Sequence, residues 1–283
     1  MGNEEHIREK VQNELGDGYE ISVVECRKNN GATMRGLSAK KDGSAVSPVV
    51  YFTDGAEAGE EIKRMADALR CVDALPDSMA DMITDFGKAK ERICFKLINT
   101  GKNTELLNEA PHRNYLDLSA VYFISVDLVD GNGSVTIKND LMERWGTTEQ
   151  ELWELAFSNT QKLFPPEIHG IGSLISSLAD GFPVDGVFDE AMLVATNGSK
   201  TNGFAVIFYD DVLTRLTDRL GDRIFILPSS VHELITIADD GNTSPQLLKD
   251  MVRDINRKVL DEQEFLSDSV YRYEKGGKMT IAE

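Results

Sequence analysis

The chain has few basic residues for its length. Its 283 residues include 30 Lys and Arg against 48 Asp and Glu, which gives a formal net charge of −18. Proteins that bind nucleic acids neutralise phosphates with clustered Lys and Arg, so this balance disfavours direct binding to DNA or RNA. An acidic surface confers solubility, and it can also meet a basic partner or imitate a phosphate backbone.

Cysteine and histidine are scarce as well, which argues against the common metal sites. The three cysteines lie far apart and form no CxxC pair, so the sequence contains neither a zinc ribbon nor a thioredoxin-like motif. His232 and Glu233 begin like the HExxH signature, but Thr236 stands where the second histidine is needed. We predict no metal site and, because glycine-rich phosphate motifs are also missing, no cofactor.

Long apolar runs are missing too. No stretch approaches the roughly 18 apolar residues needed to span a bilayer. The N-terminal sequence MGNEEHIREKVQNELG is polar and acidic, unlike a secretory signal peptide. Unpaired cysteines in apolar contexts are typical of reducing compartments. We therefore expect a cytoplasmic protein that does not bind membranes.

The sequence does contain an alternation of strand and helix patterns. Runs of β-branched and aromatic residues bounded by turn residues predict strands, and apolar residues at helical spacing predict helices. Because the strands are mostly linked as hairpins, the pattern predicts an α+β fold with largely antiparallel sheets and flanking helices. We predict an N-terminal part of residues 1–87 and a larger part of 88–283, with 165–188 as a candidate flexible connection.

Three segments predict particular elements. Thr148 and Glu151 form a capping-box pattern that predicts a helix over 149–163. The apolar run GFAVIFYD at 203–210 predicts a strand, and Pro245 at a first helical position predicts a helix to about residue 260. In that last helix we expect the apolar side chains to face inward: Leu248, Met251, Val252, Ile255 and Val259.

One stretch concentrates residue types that are common in active sites. The sequence ILPSSVHELITI at 226–237 contains the candidate catalytic residues: Ser229, Ser230, His232 and Glu233. They are too close in sequence for a Ser-His-acid triad, and no Gly-x-Ser-x-Gly elbow is present. A structural interpretation is favoured, in which Pro228 ends a strand and Ser230 with Glu233 forms a second capping box. His232 alone has no structural role that the sequence assigns.

Two polar segments are candidates for binding. Asn29 and Asn30 precede Gly31 in a turn that tolerates left-handed backbone. His112 and Arg113 place a cation beside a histidine, which suits an anion. The simpler interpretation of the first segment is a turn with left-handed backbone, and that of the second is a turn with a solvated charge.

Seven segments occur in an order that resembles a known family: KNNGATMRGL, SPVVYF, KLIN, NTELLNEAPH, WGTTEQELWELAFSNTQKLFPP, ILPSSVHELI and EFLSDSVYRYEKGG. Together they resemble the uncharacterised bacterial family catalogued as domain of unknown function 5688, over nearly the whole chain. The fifth and last segments are also similar, more faintly, to domain of unknown function 1444 proteins. The resemblance implies that ILPSSVHE and the NNG turn are family features and that such proteins occur near mobile-element genes. It implies no reaction and no catalytic residues.

These observations favour binding over catalysis. We predict an acidic protein-binding or accessory factor without enzymatic activity, with counter-defence for a mobile element as one form of that role and an unidentified protein as its partner. One alternative is a hydrolase or transferase that uses His232 with the neighbouring serines or Glu233. A second alternative is mimicry of nucleic acid, which predicts acidic side chains spaced along one face.

Overall fold

The computed structural model describes residues 2–41, 47–53, 58–74, 83–128, 131–172 and 191–283. The chain divides into two compact units, one of Met1–Lys90 with Ser125–Val135 and one of Glu91–Ile124 with Thr136–Glu283. Helices and antiparallel sheets make up both units, and this confirms the predicted α+β class. Among the described residues, no helix has the length and apolar character needed to cross a bilayer.

The N-terminal unit contains a three-stranded antiparallel sheet of order β1-β2-β3. Its elements are α1 (Gly2–Leu15), β1 (Tyr19–Arg27), β2 (Thr33–Lys41), β3 (Val49–Tyr51), α2 (Ala58–Ala74) and α3 (Phe86–Ala89). The core lies between the sheet and its helices and consists of Ile7, Val11, Ile21, Leu37, Ala39, Met65, Ala66 and Leu69. Position 36 requires glycine, because a Cβ on Gly36 would lie 2.3 Å from the carbonyl oxygen of Val50 on the neighbouring strand.

The larger unit contains two antiparallel sheets. The first has the order β4-β6-β5, and the second has the order β13-β12-β10-β11-β9-β8. Strand β7 pairs with β6, and the part of these two strands between Ser125 and Val135 is assigned to the N-terminal unit. The strands are β4 (Ile93–Asn99), β5 (His112–Tyr115), β6 (Leu118–Leu128), β7 (Gly131–Thr136), β8 (Pro166–Gly170), β9 (Met192–Asn197), β10 (Arg223–Pro228), β11 (Leu234–Ala238), β12 (Tyr271–Glu274) and β13 (Thr280–Ile281). The helices are α4 (Thr104–Glu109), α5 (Asn139–Trp145), α6 (Glu149–Leu163), α7 (Val212–Leu220) and α8 (Pro245–Val259).

Helix α6 begins where the capping pattern predicts. The hydroxyl of Thr148 accepts a hydrogen bond from the N–H of Glu151 at 3.3 Å. The carboxylate of Glu151 accepts a hydrogen bond from the hydroxyl of Thr147 at 2.6 Å. Glu149 and Glu151 lie in the first turn of the helix, where the partial positive charge of the helix N-terminus stabilises their carboxylates.

Side chains of α6 also cover the outer edge of β4. The hydroxyl of Thr160 accepts a hydrogen bond from the N–H of Phe95, and the amide of Asn159 donates one to the carbonyl of Ile93, each at 3.0 Å. These are backbone groups on the side of β4 that faces away from β6. The helix therefore satisfies donors and acceptors that an uncovered edge strand would offer to another chain.

The segment after β9 differs from its prediction. Gly203–Phe208 is a 3₁₀-helix rather than a strand, and it contacts both β9 and β4. Its residues from Gly203 to Ile207 are buried, so its apolar composition reflects burial on all sides rather than strand pairing. Asn202 before it has a left-handed backbone, with φ of 53°, which turns the chain out of β9. The strand prediction for 203–210 is therefore wrong.

The inward set predicted for α8 is only partly right. Leu248 and Val252 are buried in a core cluster with Phe225, Val270 and Ala282. The other predicted members lie exposed on the surface: Met251, Ile255 and Val259. The sheet covers one side of the helix, and the apolar arc of the helix is wider than that side.

The predicted connection at 165–188 is described only at its start. There β8 pairs with β9 in the six-stranded sheet. Residues 173–188 lie outside the described residues.

Candidate functional site

The five residues 229–233 form the connection between β10 and β11 and are held by bonds within the turn. The two strands pair up to Pro228 and Leu234, so Pro228 does end a strand. The hydroxyl of Ser230 accepts from the N–H of His232 at 2.9 Å, and the N–H of Ser230 donates to the carbonyl of Glu233 at 3.3 Å. A strand follows rather than a helix, so the predicted capping box of Ser230 and Glu233 is wrong, although the Ser230 hydroxyl does cap a turn.

The connection is also fixed to the segments on either side of it. The carbonyl of His232 accepts from the hydroxyl of Thr196 at 2.8 Å, and the N–H of Val231 donates to the carbonyl of Glu264 at 2.9 Å. Gly203 packs directly against the turn, since a Cβ there would lie 2.2 Å from both the His232 carbonyl oxygen and the Thr196 hydroxyl. The backbone at 229–233 is therefore tightly positioned.

The ring of His232 is oriented by the backbone. Its Nδ1 accepts a hydrogen bond from the N–H of Asn202 at 3.1 Å, so in the neutral ring the proton is on Nε2. Nε2 lies 3.8 Å from a carboxylate oxygen of Glu264, which is beyond hydrogen-bond distance. Because the lone pair of Nδ1 is already occupied, it is not directed at a proton of a reacting molecule. The side chain is 34% exposed.

The hydroxyls of the two candidate nucleophiles in this stretch form hydrogen bonds with groups other than the histidine ring. The hydroxyl of Ser229 donates to the carboxylate of Glu233 at 3.1 Å, and the hydroxyl of Ser230 is used by the backbone turn. Catalysis by a serine requires a base within hydrogen-bond reach of its hydroxyl. The structure brings these four residues together as a turn, in which Ser229 pairs with Glu233 and His232 pairs with Asn202.

The candidate binding residues His112 and Arg113 lie on strand β5 rather than in a turn, so that part of the prediction is wrong. Arg113 donates from Nε and Nη2 to the two carboxylate oxygens of Glu149, at 3.1 and 2.8 Å, and from Nη2 to Gln150 at 2.6 Å. The hydrogen bonds to Glu149 raise the pKa of Arg113, so the guanidinium stays charged. The ring of Trp153 lies 4.8 Å from the guanidinium carbon.

The same carboxylate accepts a hydrogen bond from the hydroxyl of Tyr122, which is fully buried. Burial and this hydrogen bond raise the pKa of Tyr122, so the phenol stays protonated and donating. Arg113 and Tyr122 thus attach the first turn of α6 to the sheet, and Glu149 occupies the edge of the guanidinium formed by Nε and Nη2. His112 Nδ1 lies 3.0 Å from the carbonyl of Ala110 and donates to it, since a carbonyl can only accept.

The candidate residues Asn29 and Asn30 belong to the N-terminal unit and form a tight turn with Gly31. Asn30 has left-handed backbone, with φ of 60°, as the turn pattern predicts, and its side chain is buried. The N–H of the preceding Lys28 donates across the turn to the carbonyl of Ala32 at 2.6 Å. The ammonium group of Lys28 lies 3.8 Å from the ring centre of Tyr51, and burial lowers its pKa.

A polar cluster around Asp117 was not predicted from the sequence. Its Oδ2 accepts from the hydroxyls of Ser267 and Ser269 at 2.6 and 3.0 Å, and its Oδ1 accepts from the hydroxyl of Tyr271 at 2.8 Å. The cluster attaches the β5–β6 turn to the start of β12 and to the segment before it. Ser267 is 1% exposed, so its hydroxyl is not placed to meet a substrate.

Within the described ranges, no group of three or more His, Cys, Asp or Glu side chains is arranged to hold a metal ion.

The outer face of α8 is the surface that sequence reasoning missed. We use this name for the row of exposed apolar residues Leu247, Met251, Ile255 and Val259, of which between 50 and 73% is exposed. Residues four apart are neighbours on a helix, so the row is continuous. The signal was present in the sequence: from Leu247 to Val252 the apolar arc spans about 140°, more than one packed side needs.

Comparison with known proteins gives a family and no activity. A family model matches residues 4–275, and its description is "Family of unknown function (DUF5688)". The match covers most of the 283 residues. No curated protein and no solved structure matches the chain.

Proposed function

Because the chain belongs to the family of unknown function DUF5688, which has no activity to transfer, we propose a function from its own surfaces. The protein is a protein-binding factor without enzymatic activity, and it binds its partner on the outer face of α8. An accessory or counter-defence role for a mobile element is one form of such binding. The proposal places this binding in the cytoplasm, which the free thiols of Cys26 and Cys94 support.

The exposed apolar row on α8 carries this proposal. In the part of the chain that the structure describes, seven large apolar side chains are exposed, and four of them form this row. Single exposed leucines are ordinary on protein surfaces, whereas a contiguous apolar patch is typical of a protein interaction site. The net charge of −18 favours solubility, whereas an exposed apolar row opposes solubility. The row is therefore best explained by a contact with another polypeptide.

The hydrogen bonds at 229–233 support the non-enzymatic part of the proposal. The Nδ1 of His232 is occupied by a backbone N–H, and the two serine hydroxyls bond to Glu233 and to the turn. An enzyme based on these residues would have to break these bonds before it could activate a nucleophile.

Photo-cross-linking in native host cells tests the proposal. A benzoyl-phenylalanine at position 255 should form a discrete covalent adduct with another polypeptide, and the adduct should disappear when Leu247 and Met251 are both changed to Asp. The matched control is position 163, because Leu163 is an isolated exposed leucine, 42% exposed, at the end of α6. The proposal fails if position 255 gives no adduct beyond that of position 163, or if the adduct survives the double substitution.

A further inference from the structure

We propose that the outer face of α8 binds the same face of a second copy of this chain, with the two helices antiparallel around a twofold axis. This inference rests on the proposed function, since it names the polypeptide that the apolar row binds. A twofold contact joins one patch to itself, so the patch must be self-complementary in both shape and charge.

The spacing of the row is self-complementary in an antiparallel pair. Its four residues are spaced evenly at intervals of four, and the middle of the row is residue 253. Reversing a second helix about that midpoint sets Leu247 against Val259 of the other copy and Met251 against Ile255. Because rows of residues four apart are inclined to the helix axis, these pairs meet when the two helices cross at about −50°.

The charges beside the row decide between antiparallel and parallel pairing. At about 100° per residue, Asp250, Asp254 and Arg257 lie on one side of the row. In an antiparallel pair this side faces the same side of the second copy, which brings Asp250 close to Arg257 in both directions. In a parallel twofold pair this side would face the opposite side of the second helix, so Asp250 and Arg257 would not meet.

These charges are available to a second copy. Asp250 lies 3.6 Å from Arg253, and Asp254 lies 3.4 Å from Lys258. Such exposed pairs within one helix are weak and exchange partners at little cost. Within the described residues Arg257 forms no ion pair. Asp254 comes near the axis, where Lys258 neutralises it.

The size of the contact sets its strength. Helix α8 has 15 residues, and at 1.5 Å per residue it is about 22 Å long. One helix pair of this length buries less than the roughly 1,600 Å² of a standard interface. We therefore expect a reversible homodimer with a dissociation constant on the order of 10 μM.

Sedimentation velocity on the full chain across roughly 1–300 μM tests the inference, because this range brackets a dimer of the expected strength. The unmodified protein should shift from monomer to dimer as the concentration rises. Ile255→Asp places a charge in the centre of the row and should weaken dimerisation by at least about tenfold. Leu163→Asp is the matched control and should leave it unchanged. Circular dichroism confirms that both variants remain folded.

Charge reversal tests the antiparallel arrangement. Asp250→Arg and Arg257→Asp should each weaken the dimer by about fivefold, because each sets like charges against each other in two places. Combining the two reversals restores opposite charges at both places and should recover the original affinity. A combination that stays as weak as the single variants overturns the arrangement.

Other results also overturn the inference. They are a protein that stays monomeric throughout the concentration range, or a dimer that Ile255→Asp leaves intact. The proposed function is judged separately by the mass of the adduct formed at position 255. An adduct of about twice the chain mass supports self-association, whereas an adduct of another mass supports protein binding and overturns self-association.

Discussion

Leu247 and Leu248 are neighbours on α8, yet 57% of the first residue is exposed and only 4% of the second. On the inner side of the helix, Leu248 and Val252 pack into a cluster with Phe225. On the outer side, the row that starts at Leu247 contacts solvent over most of its length. Both sides of the helix are apolar, but only the buried side chains of the inner side stabilise the fold. The exposed side chains of the outer side are available for a contact with another polypeptide.

The largest expected effect is on the inner side. Leu248→Ala should lower the free energy of unfolding by about 3 kcal/mol, because it removes buried methyl groups and leaves a cavity. Leu247→Ala makes the same chemical change one residue away and should alter it by less than about 0.5 kcal/mol. Urea unfolding of both variants, at protein concentrations below those at which a dimer would form, measures the two changes in free energy. Equal losses would mean that the two sides do not differ.

A buried polar contact on the inner side should have the next largest effect. The amide of Asn256, which is buried, donates to the carbonyl of Ser267 at 3.0 Å and to the carboxylate of Asp268 at 2.9 Å. Asn256→Ala should lower the free energy of unfolding by about 1–2 kcal/mol, because two acceptors lose their donor. Asn242→Ala makes the same change at an exposed position, and it is the control in the same unfolding experiment. An unchanged midpoint for Asn256→Ala would show that the polar contact adds nothing to the packing of the helix.

The smallest effect on stability is expected on the outer side. Met251→Gln and Ile255→Gln should each change the free energy of unfolding by less than about 0.5 kcal/mol, since neither side chain is packed in the monomer. Both should reduce the binding of an apolar dye such as anilinonaphthalene sulfonate to the native protein. Thermal unfolding and dye titration give the two readings. A loss of stability as large as that of Leu248→Ala would mean that the outer row packs against the chain itself.

The amino-acid sequence predicts elements well where their signals are local. The helix α6 has the predicted ends, because a capping threonine and two prolines lie beside it in the chain. The prediction failed for Gly203–Phe208, where apolar residues are buried on all sides without strand pairing. It also missed β5, because His112 and Arg113 are polar and do not resemble a strand. The turn after β5 gives no signal either, since the residue with positive φ there is Leu116, at 56°, and not a glycine.

The candidate site depended on contacts that are distant in sequence. Local patterns correctly indicated that Pro228 ends a strand and that a serine caps the turn. They gave no sign that the N–H of Asn202 would donate a hydrogen bond to Nδ1 of His232, because 30 residues separate the two. Asp117 and Tyr271 are 154 residues apart, so their hydrogen bond could not be predicted from spacing. Periodicity showed that α8 has a wide apolar arc, but not which half of the arc the sheet covers.

The hydrogen bonds that close the edge of β4 have a consequence during synthesis. Phe95 and its partner Thr160 are 65 residues apart, so the strand leaves the ribosome well before the helix that covers it. At about 5–20 residues per second, that delay is roughly 3–13 s. For that time the nascent chain offers the edge of an apolar strand to neighbouring nascent chains. Slow codons between these two positions should therefore reduce the soluble yield more than slow codons placed after Thr160.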